Sequence, residues 1–160
     1  MLKDFERFIL HARKFLSKDP ISEGENLLKQ EFAYYKLSEK EKERILNMLK
    51  KKLMCYDEVV FAYVYGGFIE RDVFRDIDVG IWVRDKERAF YYAVDISAKL
   101  GLEVGFPVDL QVINQAPLPF KYHVFTGGKL ILSKNEKLRH EIVNLTVRKY
   151  LDLKGLASFT

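Results

Sequence analysis

The chain has 160 residues, 48% hydrophobic and 14% aromatic, enough apolar material for one domain with a real core plus an extension, which excludes global disorder. Its 27 basic and 23 acidic residues leave a net charge of +4, short of the concentrated basic face of a dedicated nucleic-acid binder. Cys55 is the only cysteine, so an internal disulfide and a cysteine-rich metal framework are excluded and a reducing, cytoplasmic setting is expected.

The amino terminus, MLKDFERFILHARKFL, is broken by charges where a signal peptide needs an apolar run. No apolar stretch is long enough to span a bilayer, so no membrane association is expected. Leu2, Phe5, Phe8, Ile9, Ala12, Phe15 and Leu16 recur at three- and four-residue intervals, which predicts a first amphipathic helix. Asp19-Pro20 interrupts it, and Ser22 is placed to cap a second helix through Leu27, Leu28 and Phe32, ending near Tyr35. A third begins at Ser38: Ser38 and Glu41 have capping-box spacing ahead of Ile45, Leu46, Leu49 and Leu53. Lys50, Lys51 and Lys52 then suit the negative end of the helix dipole.

From Val59 the texture changes to VVFAYVYG, a β-branched and aromatic run that predicts a buried strand ending at Gly66-Gly67. A charged loop leads to a second strand, Asp76 to Val83. A helix is predicted from Lys86 to Leu100 on the spacing of Ala89, Phe90, Ala93, Ile96 and Leu100, with Gly101 at its end, and Val108 to Ile113 supplies another strand. Beyond Pro117 and Pro119 come a short segment around Tyr122, a turn at Gly127-Gly128 and a strand from Leu130 to Leu132. A last helix carrying Leu138, Ile142, Leu145 and Tyr150 has Ser133 or Asn135 as its cap. The expected architecture is mixed α/β (α+β), with a helical extension over residues 1–56 and a second unit over 57–160.

Asp76 and Asp78 are one residue apart on a predicted strand, so both carboxylates face one way while Ile77, Val79, Ile81 and Val83 face the core. Such a pair repels itself unless a cation or basic side chain compensates it. Gly80 follows on the same face, where a missing side chain leaves room for a ligand. Val108-Asp109-Leu110-Gln111-Val112 repeats the alternation, and Asp109 offers a third hard oxygen donor, a set that favours Mg²⁺ or Mn²⁺. The Gly66-Gly67 pair at a strand end is suited to phosphate oxygens. His11, His123 and His140 have no partner at metal-binding spacing, so zinc is not expected, and Tyr63, Tyr65, Tyr91 and Tyr92 read as core or half-buried residues.

The segment GGFIERDVFRDIDVGIWV with the later VDLQVI resembles the nucleotidyltransferase superfamily that includes DNA polymerase β, in particular its minimal nucleotidyltransferase (MNT) domains. The likeness runs from about Val59 to Leu153, because GGKLILSKNEKLRHEIVNLTVRKYLDLKG is similar to the closing hairpin and helix of these domains. It implies a nucleotidyltransferase-like mixed sheet flanked by helices. It further implies that Asp76, Asp78 and Asp109 are the catalytic, metal-ligating acids, with Gly66 and Gly67 holding nucleotide phosphates. Arg71 and Arg75 are candidates for phosphate binding, or else neutralise Asp72 and Glu70.

The implied reaction transfers a nucleoside monophosphate, AMP from ATP or its counterpart from another NTP, to a hydroxyl with two metal ions. Many MNT domains are antitoxins paired with a helical HEPN-type toxin, some modifying a toxin tyrosine, so such a toxin is the expected partner and acceptor. Gly67 stands where many relatives carry serine, the loop 68–75 is shorter, and Arg75 replaces a small residue. These departures motivate the alternative, an antitoxin-like interaction module with weak or lost catalysis. RNA binding ranks last, and pairing of two copies through the N-terminal helices stays open.

Overall fold

The computed structural model describes residues 33–157, so the first expected helix and the second as far as Phe32 lie outside the described residues, while Tyr35, the expected end of the second, is in a strand. The described chain opens with a short strand, β1 (Tyr35–Lys36), and helix α1 (Glu39–Met54). α1 starts as its capping box dictates: the Ser38 hydroxyl accepts from the Glu41 N–H at 3.3 Å, and the Ser38 N–H donates to Glu41 Oε2 at 2.8 Å. Two donors that the helix cannot satisfy internally are thereby paired. Ile45, Leu46, Leu49 and Leu53 are buried, while Lys52 reaches Glu103 at 3.2 Å.

Next come β2 (Val59–Tyr65), the one-turn helix α2 (Gly67–Glu70), β3 (Val73–Phe74) and β4 (Ile77–Val83). A helical segment follows as a 3-10 turn (Lys86–Arg88), α3 (Ala89–Tyr91), a π-helical turn (Tyr92–Ile96) and α4 (Ser97–Val104). The chain closes with β5 (Val108–Val112), α5 (Leu118–Gly127), β6 (Lys129–Ser133) and α6 (Glu136–Ala157). The main sheet has the order β5-β4-β2-β6, with β4 and β5 parallel and the other neighbours antiparallel; β1 and β3 form a separate antiparallel pair.

All seven residues of β2 are buried, as an unbroken apolar run in a central strand requires. Ile77, Val79, Ile81 and Val83 alternate toward a core that also takes α1, Tyr92, Ile96, Leu100 and Val104. On the other face, Phe61, Tyr63 and Tyr65 pack with Ile113, Val124 and Phe125, flanked by Leu138 and Ile142 of α6. Residues 39–54, expected within an extension, thus share the core of the sheet, and β1 pairs with β3.

Three expectations need correction. The helix expected over Lys86–Leu100 runs on to Val104 and ends at Gly105, whose φ of 80° suits a left-handed cap. Gly101 lies inside it, where a Cβ would sit 3.3 Å from the Phe106 carbonyl oxygen. Phe90, placed on the buried stripe by its spacing, is 79% exposed, because the wider π turn shifts the phase between the residues before and after it. Finally, the segment around Tyr122 is the ten-residue helix α5. Pro117 caps it and Pro119 occupies its first turn, where a missing N–H costs nothing. Asn135, rather than Ser133, caps α6: its Oδ1 accepts from the Leu138 N–H at 3.0 Å. No helix among the described residues is long and apolar enough to cross a membrane.

Candidate active site

Asp78 and Asp109 are register partners on the parallel strands β4 and β5, so their carboxylates leave the sheet on the same face. Tyr65, the last residue of β2, pairs with Asp78 from the other side. A row Tyr65, Asp78, Asp109 therefore crosses three neighbouring strands.

Asp76 belongs just before this row. The strand expected from Asp76 begins at Ile77, whose N–H donates to the Pro107 carbonyl at 2.9 Å and opens the ladder. Outside the ladder, Asp76 Oδ2 accepts from Arg75 Nε at 3.2 Å and Nη2 at 3.1 Å. Asp109 is exposed and accepts from Gln111 Nε2 at 3.2 Å.

The electrostatics register the convergence. Burial pushes the Asp78 carboxyl up from 3.8 to about 6, and repulsion from Asp76 and then Asp109 adds to it, while Arg75 opposes the rise. Burial likewise raises the Tyr65 hydroxyl, helped by the charges of Asp78, Asp109 and Asp76. Asp76 and Asp109 are thus both near enough to act on Asp78.

Among the described residues no group of three His, Cys, Asp or Glu side chains is placed to hold a metal ion by itself. The donor set nonetheless fits Mg²⁺, which keeps several waters and binds through one or two carboxylates plus substrate phosphates rather than in an all-protein cage. The self-repulsion at Asp78 is the cost that a cation would relieve.

Gly66 joins β2 to α2 with φ 71°, and a Cβ on it would stand 2.5 Å from Asp78 Oδ2. Only glycine turns the chain beside that carboxylate without strain. The Gly66 carbonyl accepts from the Ile69 and Glu70 N–H groups, each at 3.0 Å, and the Gly67 carbonyl from Arg71 at 3.0 Å. A Cβ on Gly67 would meet only Phe74 Cβ, at 3.9 Å. Serine's hydroxyl is therefore missing there, but not the space for it.

The remaining candidates are placed as follows. Arg71 ends α2 with its side chain exposed, and its carbonyl accepts from Lys42 Nζ at 2.9 Å. Arg75 faces Asp76. Gly80 does not open a ligand space: a Cβ there would meet Ile113 Cγ2 at 3.2 Å, Val124 Cγ1 at 3.4 Å and Tyr65 Cε1 at 3.5 Å, so its bareness serves the packing of α5 on the sheet. His123 on α5 lies 3.8 Å from Glu70, and His140 on α6 lies 3.1 Å from Glu136.

Sequence reasoning passed over two residues. Tyr65, read as core, also borders the acids; its position directly before the glycine pair was the available signal. Lys42 lies on the buried stripe of α1, three residues before Ile45 and four before Leu46, where a charge breaks the apolar pattern.

The family model described as polymerase beta, nucleotidyltransferase matches residues 47–137, more than half of the chain. Among solved structures, a chain of the complex of tri-AMPylated Shewanella oneidensis HEPN toxin with MNT antitoxin is 17% identical, covering 76% of this chain and 93% of that one at a TM-score of 0.53. A toxin–antitoxin structure with AMP-PNP matches at 20% identity over 70% of this chain and 93% of that one, TM-score 0.56. The toxin–antitoxin MntA-HepT matches at 17% identity over 76% and 93%, TM-score 0.52. At such identities the likeness is one of fold. No curated protein sequence matches the chain.

Proposed function

The chain belongs to the polymerase β nucleotidyltransferase family, and from that premise we propose that it transfers AMP from ATP to a hydroxyl acceptor and releases pyrophosphate. The observation that carries this reading is the register of Asp78 with Asp109, with Asp76 close enough to raise the Asp78 carboxyl. In the transfer the acceptor oxygen bonds to the α-phosphorus, the bond from that phosphorus to the bridging oxygen breaks, and pyrophosphate leaves with the electron pair. The Asp109 carboxylate takes the acceptor's proton. Mg²⁺ or Mn²⁺ held by Asp76, Asp78 and Asp109 would supply neutralising charge for the leaving pyrophosphate and lower the pKa of the attacking hydroxyl.

The other roles fall to the chain itself. The turn Gly66–Gly67 brings backbone, not side chain, beside Asp78 and seats the phosphates. Arg71 and Arg75 border that seat as phosphate ligands, and Arg75 exchanges Asp76 for phosphate when nucleotide arrives. The acceptor class is a tyrosine hydroxyl on a helical HEPN-type toxin in the cytoplasm. The fold likeness to a complex of MNT antitoxin with a tri-AMPylated HEPN toxin supports that choice.

The test is label transfer from α-labelled ATP to a candidate HEPN partner: transfer requires Mg²⁺ and disappears in Asp78→Asn. Transfer that persists in Asp78→Asn would reject the reading. A second reading, a partner-binding module without catalysis, draws on the ion pair that ties Asp76 to Arg75. It would be favoured by an Asp76→Ala/Asp78→Ala chain that still captures and neutralises the toxin while the unsubstituted chain transfers no label.

A further inference from the structure

Lys42 is the only lysine among the described residues whose side chain is buried. A buried ammonium needs partners, because the hydration it loses must be replaced by hydrogen bonds and charge. Lys42 finds three: Nζ donates to the Arg71 carbonyl at 2.9 Å, stands 5.8 Å from the centroid of the Phe68 ring, and lies 3.6 Å from Glu39 Oε1. Two of these, Phe68 and Arg71, belong to or end α2, the turn that follows the glycine pair.

The same turn is pinned from a second direction. Lys36 and Tyr35 of β1 pair with Val73 and Phe74 of β3. Phe74 in turn stands edge-on to Phe68, with ring centroids 4.9 Å apart. Lys42, Tyr35 and Lys36 all precede the stretch matched by the family model, which starts at residue 47.

We propose that Lys42 is a positioning residue for the nucleotide: by holding the Arg71 carbonyl it fixes the far end of the phosphate-seating turn, as Gly66 fixes the near end against Asp78. The assignment rests on the nucleotidyl-transfer reading. It explains why a charge interrupts the apolar stripe of α1 at Lys42, the residue that reaches Arg71 and Phe68.

The test compares full-length Lys42→Met, which keeps the stem over Phe68 but loses the donor, with Lys42→Arg, which keeps a donor. Expected for Lys42→Met is a rise of about tenfold or more in the KM for ATP, the size of one lost charged hydrogen bond, with kcat little changed. Amide exchange at Ile69, Glu70 and Arg71 should quicken, and Lys42→Arg should restore both readouts toward wild type. An unchanged KM, unchanged exchange at these amides, or a loss that follows the fall in Tm and is not relieved by Lys42→Arg would overturn the proposal. A wild-type chain that binds no ATP would overturn this inference together with the reading beneath it, and is told apart because it shows before any substitution is made.

Discussion

Asp78 is a carboxyl that the surrounding residues would rather keep neutral. Its pKa lies near 3.8 in the unfolded chain and is raised to about 6 by burial, Asp76 and Asp109. Between those values the unfolded chain gives up the proton while the folded chain retains it, so metal-free stability falls as pH climbs from about 4 to about 6 and then levels off. Asp78 is only half-buried, so after solvent screening the effect is on the order of 1 kcal/mol. Asp78→Asn should therefore stabilise the metal-free chain at pH 7 and flatten its pH dependence, read by urea melts at pH 4.5 and 7; a less stable variant at pH 7 would contradict this. The two glycines should part company. Gly66→Ala forces a Cβ to 2.5 Å from Asp78 Oδ2 at a positive φ, a cost of about 1–3 kcal/mol. Gly67→Ser has room and should stay within about 0.5 kcal/mol of wild type in the same melts. The sequence marks both glycines alike, since their difference lies in one dihedral angle and one carboxylate contact that only the folded chain brings about.

Elements whose ends are written in local chemistry were legible. α1 is such a case: Ser38 and Glu41 satisfy each other's backbone donors, and Ser38→Ala should lower stability by about 1 kcal/mol in thermal melts, with no change expected if the cap contributed nothing. α5 hid because Pro117 and Pro119 look like breakers and because LPFKYHVFTG has no polar face. It lies between the sheet, through Val124 and Phe125, and α6, where Tyr122 stacks on Tyr150 at 3.9 Å. The π turn at Tyr92–Ile96 misplaced Phe90, since a change of helical pitch leaves no trace in residue spacing. β1 and β3 are two residues each, too short to show any period.

At the scale of the molecule, Asp78 and Asp109 are neighbours because β5 lies beside β4 and not at the opposite edge. Residues 31 apart in the chain, Asp78 and Asp109, meet through the parallel pairing that the helical segment from Lys86 to Val104 makes possible. Sequence order suggested that meeting; the strand order β5-β4-β2-β6 realises it. What order could not convey is the tie of Asp76 to Arg75 or the closure of the Gly80 surface by α5, both products of neighbours distant in sequence or of turn geometry. The most direct measurement is calorimetric titration of Mg²⁺ and ATP into wild type, Asp78→Asn and Asp109→Ala, each checked for folding. Mg²⁺-dependent ATP binding is expected in wild type and none in either variant; wild-type affinity retained in Asp109→Ala would refute the role of the Asp78–Asp109 pair.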